Sequence, residues 1–364
     1  MRVLHIINGE HYSGAERVQD LLALGLTENG IECAFAVLKR GRFGCVRKST
    51  SELRDFSSGH GLLQAKRIAA YAKAGRFSAI HSHTPRSALV AFFVRALTGL
   101  PHFHHGHSPT DEDSSRFLMN RINVLAERNS IRGCTHLFAV SQRVVDYFTA
   151  IGVDRSRISL VENGVPEGKV RATIRAFCDK SSLRLGTVAL FRPRKGLETA
   201  LRALAHIVAS GQPATFTGIG PFESESYRRE IMNLIEELGI SKFVDWTGFT
   251  ENVPAAMSSL DMFVFPSLYG EGLPMALIEA MSVGLPCVGS DIDGVRDPLK
   301  GGAGLTVPAG DAERLAEACI TLWRDEQLRG GISYTATLRQ QERYSVSSMS
   351  RSVLQEYMRS IHAS

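Results

Sequence analysis

Two glutamates, Glu271 and Glu279, stand eight positions apart in "YGEGLPMALIEAMSVGLPCVGS" (269–290), on either side of a Gly-Leu-Pro turn. Pro274 suits a first helical position, Met275 to Met281 are good helix formers, and Gly284 with Pro286 stops the run. Glu271 is then expected just outside a helix and Glu279 inside it. The amides of Gly272, Leu273 and Met275 would lie at the positive end of the helix dipole, where an anion such as phosphate is held. A carboxylate on each side of a phosphate accepts hydrogen bonds from hydroxyls at both ends, which suits ribose, diphosphate and sugar in line. A bare Glu-x7-Glu is better explained by a solvated Glu271 and a Glu279 on an amphipathic face, so the flanking residues must decide.

Three other stretches carry polar side chains at the ends of apolar runs. In "NGEHYSGAERV" Ser13 and Gly14 open a helix, and a glycine there lets backbone approach a diphosphate, although a tight turn needs glycine equally. The loop has neither G-x-G-x-x-G nor G-x-x-x-x-G-K-[ST], which leaves a dinucleotide dehydrogenase or P-loop NTPase little support. "LFRPRKGLETALRAL" sets Arg192, Arg194 and Lys195 before a helix, where cations oppose the dipole unless an anion joins them. "PHFHHGHS" brings His102, His104, His105 and His107 to a strand end. Their spacing matches no zinc pattern, and strand alternation turns His102 and His104 away from His105. His105, beside Gly106, is the hydrogen-bonding or proton-handling candidate, with His81 and His83 read as supporting or structural. Asp291 and Asp293 have the spacing of a metal-binding D-x-D but sit in a polar turn, and turn aspartates are common. Gly218 and Gly220 form a further glycine loop at a strand end.

These residues need elements to position them. At 364 residues the chain favours two domains, and 44% hydrophobic with 22% charged residues describes an ordinary globular protein. Short apolar runs alternate with amphipathic helices: "RVLHII", "CAFAVL", "FSAIHSH", "PHFHHG", "HLFAVS" and "RISLVEN" as strands in the first half, with helices near Ala15 to Thr27 and Arg86 to Leu97. The second half restarts at "LRLGTVAL", continues with a helix near Lys195 to Ala209, and has further strands in "PATFTGIG", "KFVDWTG", "DMFVFPS" and "LPCVGS". The expectation is two doubly wound parallel-sheet domains, 1–168 and 169–343, with functional loops at the carboxyl ends of their strands facing a central cleft. A last helix over 344–364 is expected to pack back on the first domain.

Residues 1–168 carry 21 Lys and Arg against 15 Asp and Glu, whereas 169–364 carry 21 against 22. The basic half fits an anionic partner, and ordinary surface charge explains it about equally well. The six cysteines, Cys33, Cys45, Cys134, Cys178, Cys287 and Cys319, include no Cys-x-x-Cys pair and read as reduced and mostly buried. With no long apolar run and no signal-peptide pattern, a cytosolic protein is expected.

The ordered set "SGAER", "HHGHS", "VSQRV", "ENGV", "RPRKG", "GIGP", "EGLPMALIEAMSVGLPCVGSDIDGV" and "GLTVPAGD" resembles the retaining GT-B glycosyltransferases of family 4 along nearly the whole chain. The resemblance implies two Rossmann-like domains and a nucleotide-sugar donor, a UDP-sugar first among them, held mainly by the second. It implies no metal and no separate cofactor. By it, Glu271 contacts the donor sugar and Glu279 the ribose; Gly14, Arg192 and Lys195 meet the diphosphate, and His105 lies beside the transferred sugar. The donor-side loops add Ser13, Gly218, Gly272, Leu273, Pro274 and Met275. The chain departs from the pattern in two places: Ser13-Gly14 stands where the family has Gly-Gly, and Leu190 where it has an arginine, with Arg192 the nearest substitute.

The resulting expectation is a hexosyltransferase acting on a sugar or lipid-linked acceptor in cell-surface polysaccharide, lipopolysaccharide or glycolipid synthesis. The alternatives are a nucleotide-sugar epimerase or glycosyl phosphorylase of the same architecture, or a non-catalytic nucleotide-sugar-binding subunit. No nucleic-acid partner is expected. Arg116, Arg121, Arg128 and Arg132, spaced through "RFLMNRINVLAERNSIR" among apolar residues, suit either a helix packed on the first sheet or one lying on an anionic membrane.

Overall fold

The computed structural model describes residues 1–362 apart from 11, 13, 110–123, 125–126 and 168–180. The chain divides into two compact units, Met1–Val165 with Arg343–Ser364, and Pro166–Glu342. Each is built on one parallel sheet.

In the first unit the strands are β1 (Arg2–Ile7), β2 (Glu32–Val37), β3 (Glu52–Asp55), β4 (Ala79–Ser82), β5 (His102–Gly106), β6 (His136–Ala139) and β7 (Ile158–Leu160). They lie in the order β3-β2-β1-β4-β5-β6-β7, and every neighbouring pair is parallel. Helices on both faces bury the inner strands, which is why most of them read as apolar runs, with buried histidines in β1, β4 and β5. Leu4, Ile6, Ala34, Ala36 and Ile80 pack against Ile68, Val90 and Val94 from the helices Leu62–Ala74 and Pro85–Thr98. β3 escapes the apolar pattern because it is an edge strand, "ELRD", with alternate residues exposed, and charge blunts an edge. The helix Val346–His362 packs on the helix Gly14–Glu28 and buries Met349, Val353 and Tyr357.

The second unit comprises β8 (Leu183–Val188), β9 (Ala214–Ile219), β10 (Val244–Gly248), β11 (Met262–Phe265), β12 (Cys287–Ser290) and β13 (Leu305–Val307). Their order is β10-β9-β8-β11-β12-β13, again all parallel. Leu185, Phe216, Met262, Val264 and Val288 join Leu201, Leu204 and Ile231 in the core. In both sheets the chain winds outward from a central strand to one edge and then returns to the other side, so each has a switch point, between β1 and β4 and between β8 and β11. Loops leaving the carboxyl ends of those central strands diverge there and leave room for a ligand.

Two local expectations are corrected. The helix expected from Lys195 begins at Leu197, because Gly196, in the left-handed region at φ 64°, separates it from a single 3₁₀ turn, Pro193–Lys195. Pro274 is not the first residue of its helix but the extended residue before it (φ −72°, ψ 122°), and the helix runs Met275–Ser282. Among the described cysteines, Cys33, Cys134, Cys287 and Cys319 are buried thiols and Cys45 is exposed; Cys178 lies outside the described residues.

Candidate active site

The switch point of the second unit gathers most of the donor-side candidates. After β8 the chain makes the Pro193–Lys195 turn; after β11 it runs through Pro266 and Ser267 to Glu271. Glu271, 6% exposed, accepts three hydrogen bonds on one oxygen: its Oε1 lies 2.6 Å from Lys195 Nζ, 3.2 Å from Arg194 Nη1 and 2.9 Å from Ser267 Oγ. Arg194 Nη1 also donates to the carbonyls of Gly270 at 3.0 Å and Tyr269 at 3.3 Å. The ammonium of Lys195 stands 5.6 Å above the Phe265 ring centroid. Burial lowers the Lys195 pKa, an effect opposed by Glu271 and reinforced by Arg194. Two cations thus meet one carboxylate, a surplus of positive charge in a poorly hydrated place, and an arriving anion would be held strongly there.

Glycine makes this contact possible at two positions. A Cβ on Gly196 would fall 2.0 Å from the Pro266 carbonyl oxygen, so only a residue without a side chain lets the Lys195 turn lie against the Glu271 loop. On the other side Gly294, at φ 81°, would place a Cβ 2.2 Å from the Gly272 oxygen and 2.6 Å from that of Glu271. The Glu271 loop is therefore clamped between two backbone segments. Gly272, Leu273, Pro274 and Met275, all buried, lead from it into the helix, whose inner turn carries Glu279 at 1% exposure. Leu190, Phe249 and Tyr269 are exposed apolar side chains in the loops that follow β8, β10 and β11 at the same edge.

Other candidates fall elsewhere. Arg192 pairs with Glu223 at 3.4 Å, and it is Arg194 that joins Lys195 on Glu271. Gly218 lies inside β9, where a Cβ would strike the Trp246 ring at 2.3 Å, so its lack of a side chain has a packing cause. Asp291 and Asp293 both bond to Arg296, Asp293 at 3.2 Å, and remain about half exposed. In the first unit Gly14 is the exposed first residue of its helix, and Ser13 lies outside the described residues.

His105 is buried on the face of β5 that carries a set of stacked imidazoles: His81 at 5.6 Å between ring centroids, His83 at 5.7 Å and His107 at 4.8 Å. Burial first, then the neighbouring His107 and His104, holds the His105 pKa well below its ordinary value. At neutral pH it is an uncharged donor and acceptor. His102 and His104 point to the other face, where both reach Ser82 Oγ, at 2.8 and 2.9 Å.

Two family models match the chain, Glycosyltransferase Family 4 over residues 12–169 and Glycosyl transferases group 1 over residues 182–325. The chain is similar to the phosphatidyl-myo-inositol mannosyltransferase of Mycobacterium leprae, 36% identical over 152 residues, a match that takes in 40% of each protein. It is 27% identical over 346 residues to the putative glycosyltransferase EpsF of Bacillus subtilis, covering 89% of this chain and 87% of that one. Its fold matches that of Anabaena HepE, solved in complex with UDP-glucose, with a TM-score of 0.84 at 19% identity, over 98% and 99% of the two chains.

Proposed function

The chain belongs to glycosyltransferase family 4, with the two Rossmann-like domains of the GT-B fold, and from that premise we propose that it moves a sugar from a nucleoside-diphosphate donor to an acceptor hydroxyl with retention at the anomeric carbon. One observation carries the reading: Lys195 and Arg194 converge on Glu271 at the switch point of the second sheet, beside the segment 272–275 that enters the Met275–Ser282 helix. A diphosphate at that position meets two cations and the helix N-terminus, with Glu271 toward the sugar and Glu279 toward the ribose. As the bond from the anomeric carbon to the diphosphate oxygen breaks, negative charge builds on the leaving group, where Lys195 and Arg194 stabilise it. The acceptor oxygen bonds to the same face of the sugar, and its proton passes to the departing phosphate oxygen. His105, neutral, orients the sugar by hydrogen bonding. No metal is required in this scheme, in keeping with Asp291 and Asp293 being engaged by Arg296.

UDP is the proposed nucleotide, in line with the HepE complex, and the exposed Leu190, Phe249 and Tyr269 offer apolar surface to its base or to the sugar. The scheme is tested by separating the two glutamates. Glu279→Ala should weaken binding of UDP itself, whereas Glu271→Ala should spare UDP and lose affinity or turnover with the UDP-sugar, both read by calorimetry and donor hydrolysis. Unchanged UDP affinity in Glu279→Ala would defeat the ribose assignment.

A lipid-linked acceptor is proposed on the model of the M. leprae relative, whose name gives a phosphatidylinositol acceptor, and with it weak peripheral association with an anionic membrane. Among the described residues no helix is long and apolar enough to cross one. Of the basic segment, Arg116 and Arg121 lie outside the described residues, Ile131 is buried, and Arg132 is exposed. Co-sedimentation with anionic but not neutral vesicles at low salt, lost at high salt and in Arg128→Glu/Arg132→Glu, is the expected outcome. Absence of sedimentation at low salt would favour a soluble acceptor.

A further inference from the structure

The switch point of the first sheet contains polar groups that the transfer reaction leaves unused. His5 sits on β1 and His81 on the adjacent β4, directly opposite one another in register, and His83 follows two residues later on the same face. A His-x-His pair at the carboxyl end of one inner strand and a third histidine on the neighbouring strand bring three rings into contact. Their centroids are 5.1 Å apart for His5 and His81, 5.2 Å for His5 and His83, and 4.2 Å for His81 and His83. One ligand nitrogen from each ring lies within 4.8 Å of the other two, and all three side chains are buried. Among the described residues no other group of three His, Cys, Asp or Glu side chains meets that condition.

We propose that His5, His81 and His83 form a site for one divalent cation of the zinc class, independent of donor binding in the second unit.

Three features support it. Nδ1 of His5 and Nε2 of His83 share a hydrogen bond at 3.0 Å, and this spacing is also close to the ~3.3 Å that separates two nitrogens bound at about 2.0–2.1 Å to one tetrahedral ion, which would replace the shared proton. Nε2 of His81, the ring nitrogen left over from the Tyr357 contact, is buried with no hydrogen-bond partner among the described residues, an arrangement that costs free energy unless a ligand or solvent engages it. Finally, Tyr357 OH lies 2.5 Å from His81 Nδ1 and fixes that ring from behind, as an outer partner does for a metal-binding imidazole. Three imidazoles leave a fourth position for water, and the site holds no carboxylate or thiolate; imidazole-only sites suit Zn²⁺, Cu²⁺, Ni²⁺ and Co²⁺ and disfavour Mg²⁺ and Ca²⁺.

The test uses the full chain without an affinity tag, freed of metal by chelation and then titrated with Co²⁺ and Zn²⁺. One equivalent of Co²⁺ per chain is expected, with visible d–d absorption of four- or five-coordinate cobalt, displaced by one equivalent of Zn²⁺ and unaffected by excess Mg²⁺. Zn²⁺ should raise the thermal midpoint of the parent chain, and chelation should leave UDP affinity unchanged. His5→Gln and His83→Gln should each abolish the uptake, while His104→Gln, on the opposite face of the sheet, keeps it. Absence of stoichiometric uptake by the folded parent chain overturns the proposal whatever the variants do. So does uptake that survives in folded His5→Gln and His83→Gln proteins.

Discussion

Lys195→Ala is expected to lower turnover of the nucleotide-sugar donor by on the order of 10²–10³, the usual cost of removing one electrostatic donor from a developing oxyanion. The ammonium is mostly shielded from solvent and held 2.6 Å from Glu271, so its charge is little screened where the diphosphate would form. Ground-state affinity should fall far less than turnover, since the charge that Lys195 answers grows as the bond breaks. Folding should be only mildly affected, because Arg194 and Ser267 still bond to the Glu271 oxygen. Steady-state kinetics with circular dichroism melting separates these outcomes; a variant with parental kcat and an intact melt would remove Lys195 from the reaction. Arg192→Ala is the matched control, for its partner is Glu223 rather than Glu271.

Gly196→Ala is expected to cost about 3 kcal/mol of stability in the second unit, lowering its melting midpoint by roughly 6–12 °C, and to lose donor binding as well. The left-handed backbone at φ 64° accounts for about 1 kcal/mol of this. The rest comes from the Pro266 carbonyl, 2.0 Å from the added methyl carbon, because backbone on both sides of the contact cannot yield without parting the Lys195 turn from the Glu271 loop. Asparagine, which tolerates that backbone region, should do no better, since its Cβ meets the same oxygen. Differential scanning calorimetry with UDP titration reads both effects. A midpoint within about a degree of the parent would mean the two loops have room to separate.

The alternation of apolar runs with amphipathic helices made both parallel sheets legible in the sequence, because strands buried on two faces favour an apolar composition, the buried histidines of β1, β4 and β5 apart. β3 and β13 were not legible for opposite reasons: "ELRD" is a charged edge, and "LTV" is three residues long. Within the site, the Glu271 to Glu279 spacing was plain, but the neighbouring cations were not sorted. Arg192, Arg194 and Lys195 are nearly adjacent, and which of them meets Glu271 depends on a single 3₁₀ turn ending at a left-handed glycine. Ser267 and Gly294 carried no local signal, since each matters only through a contact made in the folded unit. The imidazole cluster was equally hidden: His5 and His81 are neighbours solely because β1 pairs with β4.

That the first unit is assembled from both ends of the sequence bears on how the protein is made. Residues 1–165 emerge from the ribosome first, yet the helix Val346–His362, with Tyr357 behind His81, emerges only after the whole of Pro166–Glu342. At about 5–20 residues per second, the nascent first sheet waits roughly 10–40 s for that helix, with the surface that will receive Met349, Val353 and Tyr357 uncovered. The second unit, contiguous in sequence, has all its strands in hand during that interval. The half that begins first is the last to be completed, and during synthesis its unfinished face is the one a chaperone would meet.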